Sequence, residues 1–481
     1  MVIMKCGLEI HQQLDSHKLF CKCPSILRND TPDFEIKRKL HAVRGESGEV
    51  DVAAEFETSL DKEFIYQGYY DTTCLVEIDE SPPLEINKEA LEIALHICIH
   101  LNCEIIPITQ IMRKIVIDGS NTTGFQRTVL IGRNGFVETK SGKVRIATVM
   151  LEEDAARIIE KNYENENKKE VVFRVDRLGI PLVEIATEAD IKSPEQCKEV
   201  ALLIGDILRS CKVKRGIGTI RQDINISITG HPRVEIKGFQ DVKMFIPVIE
   251  NEIKRQEENL KKFSSEELKS EVRCANPDGT TNFLRPMPGS ARMYPETDLP
   301  LLYITRDVIN KAKKTLPKLR SDVRVELERR GLSKEMIKLL NNEEKIKNFE
   351  ALLKILNDPN FVAKVLFIFP KEIASHRKIS ESDVNEILNI DMIEIIVDYV
   401  SKGKIKKEET KQVMERIVDG EKLEDAIKSK IEVHDLESEI AKIIKEKPGL
   451  GFGAYMGLIM EKFNKRVSGK EASEILKKLL K

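Results

Sequence analysis

Net charge is the first thing this chain lacks: 78 Lys and Arg against 80 Asp and Glu leave a formal −2, although 33% of the residues are charged. A uniformly basic nucleic-acid coat is excluded, while local basic patches are not. No apolar run reaches the length of a membrane span, and the start, MVIMKCGLEIHQQ, has no long apolar core of the signal-peptide kind. A soluble cytoplasmic protein without membrane attachment is expected. The nine cysteines are an odd number, and Cys98, Cys103 and Cys197 lie in apolar stretches, as reduced thiols do. Tryptophan is absent while Lys, Glu and Ile abound, a bias of thermophiles and AT-rich genomes. There is no G-x-x-x-x-G-K-[ST] phosphate loop, and the glycines at 449–453 complete no G-x-G-x-x-G pattern. Internal repeats and low-complexity segments are also missing.

What is present is length. With 481 residues, 41% of them apolar, two to four domains with real cores are expected. To about residue 300 the texture is strand-like, with KVRIATVML (143–151), EVVFRV (170–175), QDINISI (222–228) and RVEIKG (233–238) separated by Gly, Asn and Pro. Helices are expected from Asn87, as N-cap, to Asn102, and from Ser193-Pro194 to Arg209. This is a mixed sheet with helices, an α+β pattern rather than a regular βαβ alternation. After Asp298-Leu299-Pro300 apolar residues recur at three- and four-residue spacing, so the rest is expected to be helical, with a break near 401–404.

Four stretches could carry chemistry. In Glu9-Ile10-His11 the strand period puts a carboxylate and an imidazole on one face, where they could share a cation or simply form a wet polar pair. Glu152-Glu153-Asp154 ends an apolar strand with three acids, suited to Mg²⁺ or to a solvated turn. In Ser120-Asn121-Thr122-Thr123-Gly124-Phe125-Gln126-Arg127, small polar residues and a glycine let backbone amides approach an anion, and Arg127 offers a forked contact; a plain surface loop is the alternative. Arg285 to Asp298, dense in Pro, Gly, Arg and acids and containing Arg292, describes a rigid, shaped loop. His96 and His100 have zinc-helix spacing but no intervening Glu, so packed or exposed histidines are expected. Cys21 and Cys23 could be half a zinc site. Only Cys74 lies near in sequence, so a closed tetrahedral site is not expected.

Taken together these phrases resemble the B/E family of tRNA-dependent amidotransferase subunits. The matching pieces run in order: GLEIH (7–11), KLFCKC (18–23), SNTTGFQR (120–127), LEEDA (151–155), DRLGIPLVEIATEADIKSPE (176–195), IRQDINISI (220–228), VEIKGFQ (234–240) and IKRQ (253–256). The end, YMGLIMEKFNKRVSGKEASEILKKLL (455–480), resembles the family's YqeY-like helical tail. Within the family the chain leans to the E-type subunit of the archaeal heterodimeric enzyme, on FIYQGYYDTTCLVEIDESPP (64–83), SNTTGFQR and DGTTNFLRPMPGSARMYPETDLP (278–300). One departure is that 253–281 passes straight across where E-type subunits carry an inserted domain like that of bacterial aspartyl-tRNA synthetases.

The resemblance implies a cradle-shaped kinase–amidotransferase domain (1–308), a helical domain (309–402) and a tRNA-binding tail (403–481). It implies a glutamine-hydrolysing glutaminyl-tRNA synthase that uses ATP and Mg²⁺ to phosphorylate the glutamate on Glu-tRNA(Gln) and then amidates it. Glu9, His11, Glu152, Glu153 and Asp154 would hold Mg²⁺. Arg127, Arg221 or Arg292 would clamp phosphate or carboxylate, and Ser120, Asn121, Thr122 and Gly124 would help bind the nucleotide. No cysteine stands in a glutaminase phrase, so the ammonia donor is expected to be a separate asparaginase-like glutaminase of the D type, in a heterodimer or heterotetramer. The alternatives are a B-type subunit that also acts on Asp-tRNA(Asn), and a non-catalytic tRNA scaffold.

Overall fold

Residues 4–13, MKCGLEIHQQ, alternate small or aliphatic side chains with polar ones over most of their length, and they form a central strand of the fold. The computed structural model describes all residues except 1–3, 46–47, 164–168, 240, 265, 290–292, 341–342, 428–432, 463–468 and 481. In it this strand, β1 (Met4–Gln13), belongs to a mixed sheet of eleven strands. The others in chain order are β2 (Glu104–Ile105), β3 (Ile111–Ile115), β4 (Phe125–Thr139), β5 (Gly142–Glu153), β6 (Pro181–Thr187), β7 (Ile220–Ile228), β8 (Val234–Phe239), β9 (Glu271–Ala275), β10 (Thr281–Pro286) and β11 (Met293–Pro295). Across the sheet they run β10-β9-β8-β7-β1-β6-β5-β4-β3-β11, and β2 pairs with β4. Neighbours are antiparallel apart from β8 and β9, which are parallel. The expected strands at 143–151, 222–228 and 233–238 are β5, β7 and β8.

The pleat sends alternate side chains of β1 to opposite faces. Leu8 and Ile10, 1% and 0% exposed, pack with Ile93, Ile97, Val200, Ile204 and Val248 of three helices. Two of these helices are the expected ones. Lys88–His100 is capped by Asn87, which accepts from the amides of Glu89 and Ala90, and Pro194–Ser210 is capped by Ser193, which accepts from the amide of Gln196. The third is Phe245–Lys262. A side chain at Gly7 would bring its Cβ to 3.3 Å from the carbonyl oxygens of Thr187 and Glu188, so this position favours glycine by close approach. His96 bonds Thr315 Oγ1 at 3.0 Å and His100 bonds the Pro317 carbonyl at 2.9 Å. Both are fold contacts rather than metal ligands.

A smaller four-stranded sheet, in the order Phe34–Arg38, Lys62–Gly68, Lys169–Arg174 and Arg157–Tyr163, packs Phe64, Tyr66 and Phe173 together. The α+β expectation therefore holds for the first part of the chain. The chain divides into two compact units, Met1–Val323 and Arg324–Lys481. The second is helical, and within it the helices Val433–Glu446, Phe452–Lys462 and Gly469–Leu479 share an apolar cluster that includes Leu436, Ile440, Tyr455, Ile459 and Leu476. Among the described residues no helix is long and apolar enough to cross a membrane. All nine cysteines are free thiols.

Candidate active site and metal-binding groups

The face of the sheet opposite the large helices carries acids and bases. β1 presents Glu9 and His11 there. Register sets His11 beside Glu184 of β6 and Arg221 of β7, and sets Glu9 beside Asp223 of β7. One strand further out stand Glu152 of β5 and Glu235 of β8, opposite Leu182 and Asn225. Two groups of potential ligands result: His11, Glu152 and Glu184 on one side of β1, and Glu9, Asp223 and Glu235 on the other. Within each group the donor atoms lie within 4.8 Å of one another. Both groups line one cavity of about 680 Å³, together with Lys114, Gln126, Thr128, Arg221 and Lys237.

The contacts are short and charged. His11 Nε2 lies 3.1 Å from Glu184 Oε2. Lys114 Nζ lies 2.5 Å from Glu152 Oε1 and 3.3 Å from Glu184 Oε2. Lys237 Nζ lies 2.7 Å from Asp223 Oδ2 and 2.5 Å from Glu235 Oε1. Asn225 Nδ2 donates to Glu9 Oε1 at 3.0 Å. Burial, then the charges of Glu184 and Glu235, push the Glu9 carboxyl above its usual range. Glu152 is raised by burial and by Glu184. Burial disfavours the charged form of His11, but the bond to Glu184 together with the charges of Glu184, Asp223 and Glu152 outweighs it and raises the imidazole pKa. Burial also opposes ionisation of Glu184, yet Lys114 and His11 hold it well below the usual carboxylate range. Repulsion among partly buried carboxylates of this kind is relieved by a cation. Oxygen donors, with one imidazole in the first group, fit a hard divalent ion such as Mg²⁺.

The five residues expected to hold Mg²⁺ are spread over four places. His11 and Glu152 meet with Glu184, whereas Glu9 sits with Asp223 and Glu235. Glu153 turns to the other face, where Arg127 donates from Nη1 to Glu153 Oε2 at 3.4 Å and from Nε to Glu296 Oε2 at 2.8 Å. Asp154 accepts from Arg221 Nη2 at 2.8 Å and Gln13 Nε2 at 2.6 Å, and Arg177 approaches to 3.8 Å. Arg221 thus lines the cavity while Arg127, 4% exposed, is a buried brace for the loop carrying Glu296. Of the expected nucleotide-binding loop, Ser120 lines the cavity, while Asn121 and Thr122 are buried; Thr122 Oγ1 donates to the Glu77 carbonyl at 2.5 Å. Gly124 adopts φ 75° in the turn before β4. Arg292 lies outside the described residues.

Glu184, Asp223, Glu235, Lys114 and Lys237 were not singled out from the sequence. Their signal was present: Val183-Glu184-Ile185, Asp223-Ile224 and Val234-Glu235-Ile236 each place an acid on the polar face of an aliphatic strand, as Leu8-Glu9-Ile10 does.

A third group lies apart from the cavity. Cys21, Cys23 and Cys74 converge with Glu77, all donor atoms within 4.8 Å. The cysteine count alone does not complete a zinc site; the fold supplies a carboxylate as the fourth donor. Cys21 Sγ lies 2.8 Å from Glu77 Oε1, and the fully buried Lys18 ammonium lies 3.2 Å from the same oxygen. Hydrogen bonds with Cys21 and Cys23 hold the Cys74 thiol far below its usual range. Three sulfurs and one oxygen fit a structural zinc ion, with Lys18 offsetting the surplus negative charge.

The sequence matches the GatB/GatE catalytic domain over residues 4–310. Relatives include the E subunit of the glutamyl-tRNA(Gln) amidotransferase of Archaeoglobus fulgidus, 36% identical over 99% of this chain and 98% of the relative. The E subunit from Methanocaldococcus jannaschii is 35% identical over the same shares, and that from Methanothermobacter thermautotrophicus 34% identical over 92% and 91%. The first two alignments span 616 and 629 positions against 481 residues here, so those relatives carry long stretches without a counterpart in this chain. The chain belongs to the GatB/GatE family.

Proposed function

We propose that the chain is the E-type subunit of a tRNA-dependent amidotransferase. It uses ATP to phosphorylate the side-chain carboxylate of glutamate on mischarged tRNA(Gln), and glutamine-derived ammonia then displaces phosphate to give Gln-tRNA(Gln). The observation that most supports this is the pair of three-donor groups flanking β1 in one cavity. In the first step a substrate carboxylate oxygen bonds to phosphorus as the bond to ADP breaks. In the second, ammonia bonds to the acyl carbon, phosphate leaves, and the nitrogen loses a proton.

No protein nucleophile is needed, so the work is positioning and charge neutralisation. His11, Glu152 and Glu184, with Glu9, Asp223 and Glu235, would hold Mg²⁺, which when bound neutralises the phosphate oxygens. Arg221, fixed by Asp154, is oriented to receive the substrate carboxylate or phosphate. Met287, Pro288 and Met293 line the same cavity and would keep bulk water from the activated acyl group.

Ammonia is supplied by a separate asparaginase-like glutaminase, the D-type partner, in a heterodimer or heterotetramer. The thiol–carboxylate group at Cys21, Cys23, Cys74 and Glu77 binds zinc. The tail, 403–481, binds tRNA: from 442 to 481 there are ten Lys and Arg against four acids, suited to a phosphate backbone. A scaffold that merely presents tRNA would have no use for six clustered ligand side chains. The test is ADP release in a single turnover by the chain with its glutaminase partner and Glu-tRNA(Gln). Glu184→Gln and Asp223→Asn should each slow it by about 10²-fold or more; undiminished ADP release by both variants would sink the proposal.

A further inference from the structure

The acids around the cavity divide by the kind of cation that pairs with them. Glu152 and Glu184 share the ammonium of Lys114, and Asp223 and Glu235 share that of Lys237. All four belong to the three-donor groups. By contrast Glu153, Asp154 and Glu296, which belong to neither, are paired with Arg127, Arg221, Arg177 and Arg113. Guanidinium offers a rigid fork that suits permanent pairs, whereas an ammonium is a point charge on a flexible stem that can be moved aside. Both lysines line the cavity.

A divalent ion about 2.1 Å from Glu152 Oε1 would lie less than about 5 Å from an ammonium held as Lys114 is, and the same holds at Lys237. Such like charges repel strongly at a partly buried site. We propose that Lys114 and Lys237 are exchangeable internal counter-ions, which neutralise the two carboxylate groups before a divalent cation binds. On its arrival they swing into the cavity and hold the phosphate oxygens of the nucleotide. This rests on the cation-binding role given above to the two groups. It adds that cation loading and phosphate capture are coupled through the same two side chains.

Mn²⁺ binding to the full chain without nucleotide, read by electron paramagnetic resonance, tests the exchange. Lys114→Met and Lys237→Met, which remove the competing charge, should each tighten Mn²⁺ binding by roughly tenfold. Lys114→Arg and Lys237→Arg, which replace it by a preorganised fork, should weaken it. With Mg²⁺ saturating, the Met variants should raise the KM for ATP more than they lower kcat. A merely structural lysine would move the Met and Arg variants in the same direction, and that result, or tighter binding by neither Met variant, overturns the proposal. Glu184→Gln, measured alongside, separates the two layers. Loss of Mn²⁺ binding there with no effect of the lysine variants rejects the exchange alone. Unchanged binding in Glu184→Gln and in Asp223→Asn rejects the cation role as well.

Discussion

Glu9 and Ile10 are adjacent and face opposite requirements. Ile10 is fully buried among helix side chains, and Ile10→Ala is expected to cost about 2–5 kcal/mol of stability through the cavity it leaves. Burial, and then the charges of Glu184 and Glu235, disfavour the ionised form of Glu9, so Glu9→Gln should leave the urea midpoint unchanged or raise it. The same change should lower phosphorylation of the tRNA-bound glutamate by about 10²–10³-fold. Urea titration and single-turnover assays on the two variants would show this crossing of effects; a marked loss of stability in Glu9→Gln would count against a functional carboxylate. Glu296 illustrates the third kind of acid. Burial pushes its carboxyl up, but Arg113, the Asp298 amide and Arg127 outweigh this and hold it below the usual range. The ties from Glu296 to Arg113, Arg127 and the Asp298 amide are therefore present at neutral pH and are lost only as pH falls through its lowered pKa.

At the scale of elements, two devices place the chemistry. One is the pleat of β1, where a one-residue shift in register would bury Glu9 and His11 and expose Leu8 and Ile10. The other is the meeting of two loops, Lys18–Cys23 and Cys74–Glu77, that bring three thiols and a carboxylate together. If this group holds zinc, the purified chain should contain close to one equivalent by elemental analysis. Cys74→Ser should lose it and destabilise the first unit, since metal affinity is linked to folding. Glu77→Gln should weaken binding without abolishing the thiolate set. A chain that is zinc-free when purified from zinc-replete cells would refute the assignment. The helices behind the sheet were easier to anticipate. Asn87 and Ser193 cap them through local hydrogen bonds that depend on neighbouring residues alone.

At the scale of the whole molecule the acid-rich cavity lies in the first unit, while the last 40 residues of the second carry the basic excess. This division predicts separable losses. Removing residues 403–481 should weaken tRNA binding and flatten its dependence on salt, because fewer counterions are released. It should leave Mn²⁺ binding in the cavity unchanged. Filter binding of tRNA across a salt series checks the first expectation; an unchanged slope would assign the tRNA contacts elsewhere. The stretches of the longer relatives that have no counterpart in this chain can make no tRNA contact here, which makes this measurement informative.

The sequence by itself determined the alternation of β1, the capped helices, the aliphatic strands and the order of motifs that reveals the family. These depend on residues close together in the chain or on patterns that survive without coordinates. Which acids meet was decided only by the tertiary structure. Glu9 and Glu152 both face the cavity, yet β6 lies between their strands, so Glu184 joins His11 and Glu152 while Glu9 turns to Asp223 and Glu235 across β7. The run Glu152-Glu153-Asp154 divides among three environments because the pleat and the strand end point its side chains apart. Glu77 completes the thiol group for a similar reason: a search for cysteine pairs sees residue type and spacing, whereas a ligand shell is set by which loops the folded sheet brings together.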